Sequence, residues 1–243
     1  MYDQIVLFGD SITQYSFMLS DRGWGAQLSD VYSRKLDILN RGYSGYNTDW
    51  AIPALEQMFP SVKKKENCVR LVTIFFGAND AAVPPSHQHV PLERYKANLR
   101  HMVNIVLPYA KVILVTPPPV EEILWKRRCI SNNKKECDRF YSITQKYAQE
   151  CILVARELGV PAVDIFDILS KRANNHVDGL GAFLWDGLHL SSLGNDVVYE
   201  AVYKCIRLHC PELSPENLPL QLPLWTDIDV EHPELLVKYK TRN

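Results

Sequence analysis

The sequence lacks several features that would point to particular protein classes. Its longest apolar stretches, 69–78 and 112–120, fall far short of the ~20 residues that a membrane-spanning helix needs. It has no excess of one charge, with 27 Lys and Arg against 28 Asp and Glu, so we expect no nucleic-acid partner. Its six cysteines are too few for a disulfide scaffold among 243 residues. None stands in a Cys-x-x-Cys pair, so the common zinc and redox motifs are excluded.

Sorting and glycosylation signals are also missing. No Asn-x-Ser/Thr acceptor occurs, and the first residues show no basic stretch ahead of an apolar one, as a secretory signal would. We therefore expect a cytoplasmic protein with free thiols. What is present, 47% hydrophobic and 23% charged residues, is typical of a globular chain that buries a large core. Because no repeat or linker interrupts it, we expect one domain over residues 1–243.

Short apolar or β-branched runs alternate with longer helical stretches. The runs predicted as strands are 4–8, 36–39, 70–76, 111–116 and 161–165. The stretches predicted as helices are 24–33, 49–58, 92–106, 137–158 and 193–208. The third and fourth strands are continuously apolar, as strands covered on both faces are. The fold class is therefore α/β, with a parallel sheet and helices on both sides.

Two segments break the alternation. Residues 117–136 hold three consecutive prolines and a basic cluster, and we expect an inserted loop there. Trp125 in this loop either lines a substrate pocket or anchors the loop to the core. Residues 211–243 are rich in Pro and Leu, and we expect an extension packed on a core of about residues 4–208. Whether either segment shapes a pocket is left open by the sequence.

Polar and glycine-rich residues follow the predicted strands, where ligands of open parallel sheets bind. Gly9-Asp10-Ser11 follows the first strand, residues 40–45 the second and residues 77–80 the third. The entry to the last helix holds Asp186-Gly187-Leu188-His189. The sequence therefore predicts that these segments meet at one edge of the sheet.

These residue types suit acyl transfer. A serine at a strand-to-helix turn has an exposed hydroxyl but needs a base, and His189 can accept the proton of Ser11. Asp186 can reach the other imidazole nitrogen and stabilise the imidazolium that forms. The plainer alternatives are that Asp and Ser cap helices and that His189 is structural. A metal site at Asp186 and His189 lacks a third ligand at suitable spacing.

Acyl transfer also needs hydrogen-bond donors for the developing oxyanion. Suitable donors are the backbone N–H groups of Gly45 and Ser11 and the side-chain amide of Asn79. Gly42 competes with Gly45 for this role, and both Gly45 and Asn79 could instead be turn residues only. The signatures G-x-S-x-G, G-x-x-x-x-G-K-[ST], H-E-x-x-H and G-x-G-x-x-G are absent, which removes the main rival enzyme classes.

Four blocks of the sequence, in order and in rough position, resemble the SGNH (GDSL-type) esterases and lipases. The blocks are Leu-Phe-Gly-Asp-Ser-Ile-Thr-Gln (7–14), Asn-Arg-Gly-Tyr-Ser-Gly-Tyr-Asn-Thr (40–48), Thr-Ile-Phe-Phe-Gly-Ala-Asn-Asp (73–80) and Asp-Gly-Leu-His-Leu-Ser (186–191). With the Leu-Pro-Leu-Trp string at 222–225, they look like the isoamyl acetate-hydrolysing esterase branch. One departure is Ile12, where the family name implies Leu after Gly-Asp-Ser.

The resemblance implies a three-layer, flavodoxin-like fold with a parallel five-stranded sheet. It implies Ser11 as nucleophile, Asp186 and His189 as the rest of a triad, and Gly45 and Asn79 as oxyanion donors. The expected function is hydrolysis of small, short-chain acyl esters without metal or organic cofactor, the ester being the only partner expected. Alternatives are carbohydrate deacetylation, lysophospholipid hydrolysis, or a catalytically silent binding module. The oligomeric state is left open, with a homodimer among the alternatives.

Overall fold

A five-stranded parallel sheet in the order β2-β1-β3-β4-β5 forms the centre of the fold. The computed structural model describes residues 2–59, 68–132 and 137–240. The strands are β1 (Gln4–Gly9), β2 (Asp37–Gly42), β3 (Val69–Phe75), β4 (Lys111–Val115) and β5 (Ala162–Val163). All five predicted strands are present, and the prediction of a parallel α/β sheet is confirmed.

Helices cover both faces of this sheet. They are α1 (Ser11–Gln14), α2 (Trp24–Val31), α3 (Thr48–Met58), α4 (Leu92–Val106), α5 (Glu122–Ser131), α6 (Tyr141–Leu158), α7 (Ile165–Ala173) and α8 (Ser192–His209). Successive side chains of a strand point to opposite faces, so Leu7 packs in one core cluster with Leu28 of α2. Phe8 packs in the other with Leu55 of α3 and Leu99 of α4. The result is the expected three-layer arrangement.

The prediction of a loop over residues 117–136 is wrong, because half of this segment forms helix α5. The Glu121 side chain caps this helix by accepting a hydrogen bond from the amide of Leu124. Trp125 and Cys129, one helical turn apart, are both buried and pack the helix onto the core. Residues 133–136 of the predicted loop lie outside the described residues.

The predicted boundaries around β5 and α6 also need correction. Helix α6 begins at Tyr141 rather than at residue 137, because Phe140 is extended and the Asp138 carbonyl accepts a hydrogen bond from the amide of Val83. Strand β5 ends at Val163. The Asp164 side chain then accepts a hydrogen bond from the amide of Asp167 and starts α7, a helix that the sequence analysis did not predict.

The C-terminal segment contacts the end of α2. The Tyr32 hydroxyl donates to the carbonyl of Leu213 over 2.8 Å. The Arg34 guanidinium donates to the carbonyls of Leu222 and Pro223 over 3.1 and 2.8 Å. Beyond these contacts, the side chain of Trp225 is 81% exposed. Residues 241–243 of the predicted extension lie outside the described residues.

Strand register places the ends of three strands level with one another. Gly9 of β1 pairs with Gly42 of β2 and with Phe75 of β3. A Cβ atom on Gly42 would stand 2.0 Å from the backbone nitrogen of Gln14, so only glycine allows α1 to pass this close to β2. The residues that follow the three strands therefore emerge at one edge of the sheet.

Candidate active site

Ser11 lies at the start of α1, immediately beyond the end of β1. The Asp10 side chain caps this short helix by accepting a hydrogen bond from the amide of Ile12 over 2.9 Å. The Ser11 hydroxyl oxygen lies 2.9 Å from Nε2 of His189, although the two residues are 178 positions apart in the chain. The structure thus joins two residues that the sequence analysis paired on chemical grounds.

His189 is held by the loop that precedes α8. Its Nδ1 lies 2.8 Å from Oδ2 of Asp186, while Oδ1 of Asp186 accepts the backbone amides of Leu188 and His189. Because a carboxylate only accepts, Nδ1 carries the proton and Nε2 offers its lone pair to the Ser11 hydroxyl. Burial acts to raise the pKa of Asp186, but the hydrogen bonds and charge of His189 outweigh it, and the pKa lies below its usual value.

Gly187 gives this loop its shape. Its φ of +91° lies in the left-handed region, where side chains other than glycine are disfavoured. A Cβ atom there would also stand 2.4 Å from the Glu121 carbonyl oxygen and from the Trp125 backbone nitrogen. The loop therefore packs directly against the first turn of α5, and that helix supports the Asp186 and His189 pair.

The imidazole of His189 contacts two aromatic rings. Trp185 stacks on it with ring centroids 5.8 Å apart and an interplanar angle of 21°. Tyr15 contacts it at 5.4 Å with a tilt of 55°. The Arg128 guanidinium lies 5.6 Å from the centroid of the Trp185 ring, and its Nε lies 3.9 Å from Oδ2 of Asp186. These contacts fix the plane of the imidazole.

Gly45 and Asn79 follow β2 and β3 at the same edge of the sheet. Gly45 has a φ of +82°, and Nδ2 of Asn79 donates to the carbonyl of Tyr46 over 2.9 Å, which ties the two turns together. The competing candidate, Gly42, uses its amide to donate to Oδ1 of Asn40 over 2.8 Å. That bond occupies the Gly42 donor, so the geometry favours Gly45.

Two residues that the sequence analysis missed contact the Asn79 side chain. Its Oδ1 accepts hydrogen bonds from Nε2 of Gln88 and from Nη2 of Arg139, each over 3.1 Å. Gln88 and Arg139 lie in irregular segments with no recognisable pattern, so no local signal could have indicated them.

Two carboxyl groups are buried beneath this edge. Burial raises the pKa of Asp10 to about 7, against the opposing hydrogen bond from Ile12. Burial likewise raises the pKa of Asp80 to about 6, although the amide and hydroxyl of Thr48 both donate to its Oδ1. Asp10 and Asp80 cap and brace the turns that carry Ser11 and Asn79.

A cleft of about 280 Å³ opens beside His189. Its lining is mostly apolar or aromatic, with one acidic and one basic side chain: Ile12, Tyr15, Met18, Asp21, Arg128, Trp185, His189, Leu190 and Asn195. Trp125 is not among them. It is 8% exposed, and its Nε1 donates to Oδ1 of Asp138 over 3.0 Å, which supports the anchoring alternative. The segment 117–136 reaches the cleft through Arg128 instead.

Residues 5–202 match the family model described as GDSL-like lipase/acylhydrolase. The chain belongs to this family. It is 41% identical over 241 residues to the isoamyl acetate-hydrolyzing esterase 1 homolog of Bos taurus, and this match covers 97% of this chain and 92% of that protein. It is 42% identical over 241 residues to a GDSL esterase/lipase of Arabidopsis thaliana, and this match covers 96% of this chain and 97% of that protein.

Solved structures of a lipase/acylhydrolase and of an acetylxylan esterase share the fold. The lipase/acylhydrolase from Enterococcus faecalis superposes with a TM-score of 0.61 at 24% identity, over 90% of this chain and 98% of that one. An acetylxylan esterase from Geobacillus stearothermophilus superposes with a TM-score of 0.63 at 22% identity, over 84% and 94% of the two chains. The predicted family and fold are confirmed, and the protein is a serine esterase of this family.

Two further observations concern the described part of the chain. Within residues 2–59, 68–132 and 137–240, no group of three or more His, Cys, Asp and Glu side chains is arranged to hold a metal ion. Within the same ranges, no helix combines the length and apolar character that crossing a membrane requires.

Proposed function

We propose that the protein hydrolyses small carboxylic esters, acetate-type esters foremost, through an acyl-enzyme intermediate on Ser11. The observation that carries this proposal is the continuous chain of hydrogen bonds from the Ser11 hydroxyl through His189 to Asp186. This arrangement gives a serine a base and gives that base a carboxylate partner, which is the general requirement for acyl transfer by a serine nucleophile.

The first half-reaction forms the acyl-enzyme. Oγ of Ser11 attacks the ester carbonyl carbon while its proton passes to Nε2 of His189, and Asp186 stabilises the imidazolium. The tetrahedral intermediate collapses when the bond from carbon to the alcohol oxygen breaks. His189 returns the proton to that oxygen, so the alcohol leaves as a neutral molecule.

The second half-reaction frees the enzyme by the same route. His189 accepts a proton from water, and the resulting hydroxide attacks the acyl-serine carbonyl. The bond to Oγ of Ser11 breaks, Ser11 regains a proton from His189, and the carboxylic acid leaves. In both halves the amide of Gly45 and Nδ2 of Asn79 are proposed to stabilise the charge on the carbonyl oxygen.

The size and lining of the cleft support a small acyl or alcohol group. A volume of about 280 Å³ lies just below the ~300–1,000 Å³ typical of pockets for drug-sized ligands. The name of the bovine relative, an isoamyl acetate-hydrolyzing esterase 1 homolog, points to an acetate ester of a short branched alcohol. We propose esters of that size as the preferred class.

Other acyl hydrolases would use the same residues. Sugar deacetylation and lysophospholipid hydrolysis differ from the proposed reaction only in the ester that the cleft accepts. Lysophospholipid hydrolysis would give the protein a part in lipid degradation. A panel of acetate, butyrate, octanoate and lysophospholipid esters separates these substrates. A cytoplasmic location stays a prediction, which fractionation of cells that express the tagged chain would check.

Labelling with a fluorophosphonate tests the triad, because an activated serine attacks phosphorus as it attacks an acyl carbon. We expect stoichiometric labelling at Ser11 and loss of both labelling and esterase activity in Ser11→Ala and His189→Ala. Ser33→Ala, at an exposed serine outside the site, is the matched control and should label normally. Labelling at another serine, or full labelling of His189→Ala, would overturn the assignment. Activity that EDTA abolishes and zinc restores would instead indicate a metal enzyme.

A further inference from the structure

Arg139 is a buried cation whose role the proposed chemistry does not explain. It lies in the extended segment before α6, and it is 1% exposed. Burial acts to lower its pKa, and the ion pair of Nη1 with Oδ2 of Asp138 over 3.0 Å opposes that effect. Since arginine stays protonated in proteins, a positive charge lies beneath the turn that carries Asn79.

The Arg139 guanidinium binds three acceptors on the oxyanion side of the site. Nε donates to the carbonyl of Ala78 over 2.8 Å. Nη2 donates to Oδ1 of Asn79 over 3.1 Å and to Oε1 of Gln88 over 2.7 Å. Gln88 in turn donates from Nε2 to the carbonyl of Gly45 over 2.8 Å and to Oδ1 of Asn79 over 3.1 Å. One cation is thereby linked to both proposed oxyanion residues.

The chemistry of arginine decides which way both amides point. A guanidinium has only donors, so the atoms that face it must be the oxygens of Asn79 and Gln88. Nδ2 of Asn79 must then point away from Arg139, towards Tyr46 and the site edge, and Nε2 of Gln88 must point to Gly45. If Arg139 were neutral and apolar, a flipped Asn79 could present an oxygen, which would repel an oxyanion.

The same contact also makes Asn79 a stronger donor. A positive charge that hydrogen-bonds to an amide oxygen withdraws electron density from the nitrogen, and hydrogen bonds in such a chain strengthen one another. The low exposure of Arg139, Asn79 and Ala78 keeps water from screening the effect.

We propose that Arg139 and Gln88 are positioning residues that orient and polarise the Asn79 amide and fix the Gly45 turn for stabilisation of the oxyanion. This inference rests on the oxyanion role proposed above for Asn79. It adds residues that touch no substrate and act only through Asn79 and Gly45.

The first test compares Arg139→Met with Arg139→Lys. The two replacements are similar in size, but only lysine keeps a cation with donors alone. For Arg139→Met we expect a kcat about 10- to 100-fold lower with a KM within about threefold of the parent, because the donors act mainly in the transition state. Arg139→Lys keeps the charge but not the planar fork, so it should recover part of kcat. Equal losses in the two variants would show that the positive charge does not contribute and would overturn the proposal.

A double-variant experiment separates positioning from general support of the fold. In an Asn79→Ala background, Arg139→Met should lower kcat by a clearly smaller factor than in the parent, because its target is gone. The same factor in both backgrounds would contradict the proposal. If Asn79→Ala itself left kcat unchanged, the oxyanion role of Asn79 would be the statement that fails. If Asn79→Ala lowered kcat and Arg139→Met did not, only the positioning role would fail.

Two measurements guard against misreading a folding defect. The Ki of a trifluoromethyl ketone, which forms a tetrahedral adduct, should rise in Arg139→Met by about the same factor as kcat falls. Arg100→Met is the matched control, because it removes an exposed ion pair between Arg100 of α4 and Glu157 of α6. This variant should keep the parent kcat. If Arg139→Met does not fold, Gln88→Met carries the test, since Gln88 is only half-buried. A parent kcat in that variant would overturn the proposal.

Discussion

The two sides of the candidate site are built on different principles. On one side, Asn79, Gln88 and Arg139 form a closely bonded polar network beneath the surface. On the other, Tyr15, Met18 and Trp185 border the cleft by packing, and Met18 and Trp185 are 43% and 49% exposed. Directional bonds fix positions to within fractions of an ångström, whereas exposed packing tolerates change. The polar side is therefore suited to the common chemistry, and the aromatic side to the choice of ester.

Loss of Asn79 should break the polar side with the largest effect. We expect Asn79→Ala to lower kcat by about 10²–10³, with little change in KM, because the amide is proposed to bind the oxyanion more strongly than the ground-state carbonyl. Steady-state kinetics on a short acetate ester, with circular dichroism for the fold, measures this. A kcat within about twofold of the parent would remove Asn79 from the oxyanion site.

Trp125→Ala tests whether Trp125 belongs to the wall of the cleft or only anchors α5. The buried ring anchors α5 and donates to Asp138, so its removal should cost about 3–5 kcal/mol of stability, as for other buried tryptophans. The ratio of kcat/KM between acetate and octanoate esters should stay within about twofold, since Trp125 does not line the cleft. Trp225→Ala, at a ring 81% exposed, is the control and should leave both properties unchanged. A several-fold change of the ratio in Trp125→Ala would make Trp125 a pocket wall after all.

Asp10→Asn should reveal the cost of the buried carboxyl beneath the polar side. Its pKa is raised from 3.8 to about 7, so between these pH values the folded state keeps a proton that the unfolded state has lost. The parent therefore loses stability as pH rises through this interval, and asparagine, with no proton to lose, does not. The variant should gain about 2–4 kcal/mol relative to the parent between pH 4 and pH 7.5.

Urea unfolding of both proteins at several pH values measures this difference. The matched control is Asp37→Asn at an exposed position on β2, for which we expect no such trend. A difference between Asp10→Asn and the parent that is constant across this pH range would show that the Asp10 carboxyl does not titrate there.

Trp185→Ala should have the smallest effect and act on the aromatic side. Removing this half-exposed ring enlarges the cleft. The ratio of kcat/KM for octanoate esters to kcat/KM for acetate esters should therefore rise several-fold, because each additional methylene that the cleft accommodates is worth about 1 kcal/mol or more. Competition between the two esters in one reaction measures the ratio directly. An unaltered ratio would place the acyl group outside this cleft.

The sequence predicted one side of the site far better than its supporting network. Ser11, Gly45 and Asn79 follow strands that their apolar runs reveal, and parallel strands carry such residues to one edge. Arg139 reaches Asn79 across 60 residues by hydrogen bonds, which leave no periodicity in the sequence. Trp185 directly precedes the loop of Asp186 and His189, but its stacking on His189 depends on the fold of that loop.

Helix α5 was missed for a different reason. Three prolines precede it and a run of basic residues lies within it, and both features are typical of loops. Its buried side chains are only Trp125 and Cys129, too few to give a clear helical period. The helix packs against the loop of Gly187 and, through Trp125 and Cys129, onto the core, and these tertiary contacts are invisible in the local sequence.

The separation of 178 residues between Ser11 and His189 also bears on how the protein is made. During synthesis the proposed nucleophile, Ser11, leaves the ribosome early, whereas the proposed base, His189, is added only after most of the chain has been translated. On this proposal a nascent or prematurely terminated chain holds Ser11 without its base, and we expect it not to turn over ester. Closing so long a loop is also a slow kind of event in folding. Recovery of esterase activity after dilution from denaturant should accordingly report completion of the whole fold, not of its N-terminal half.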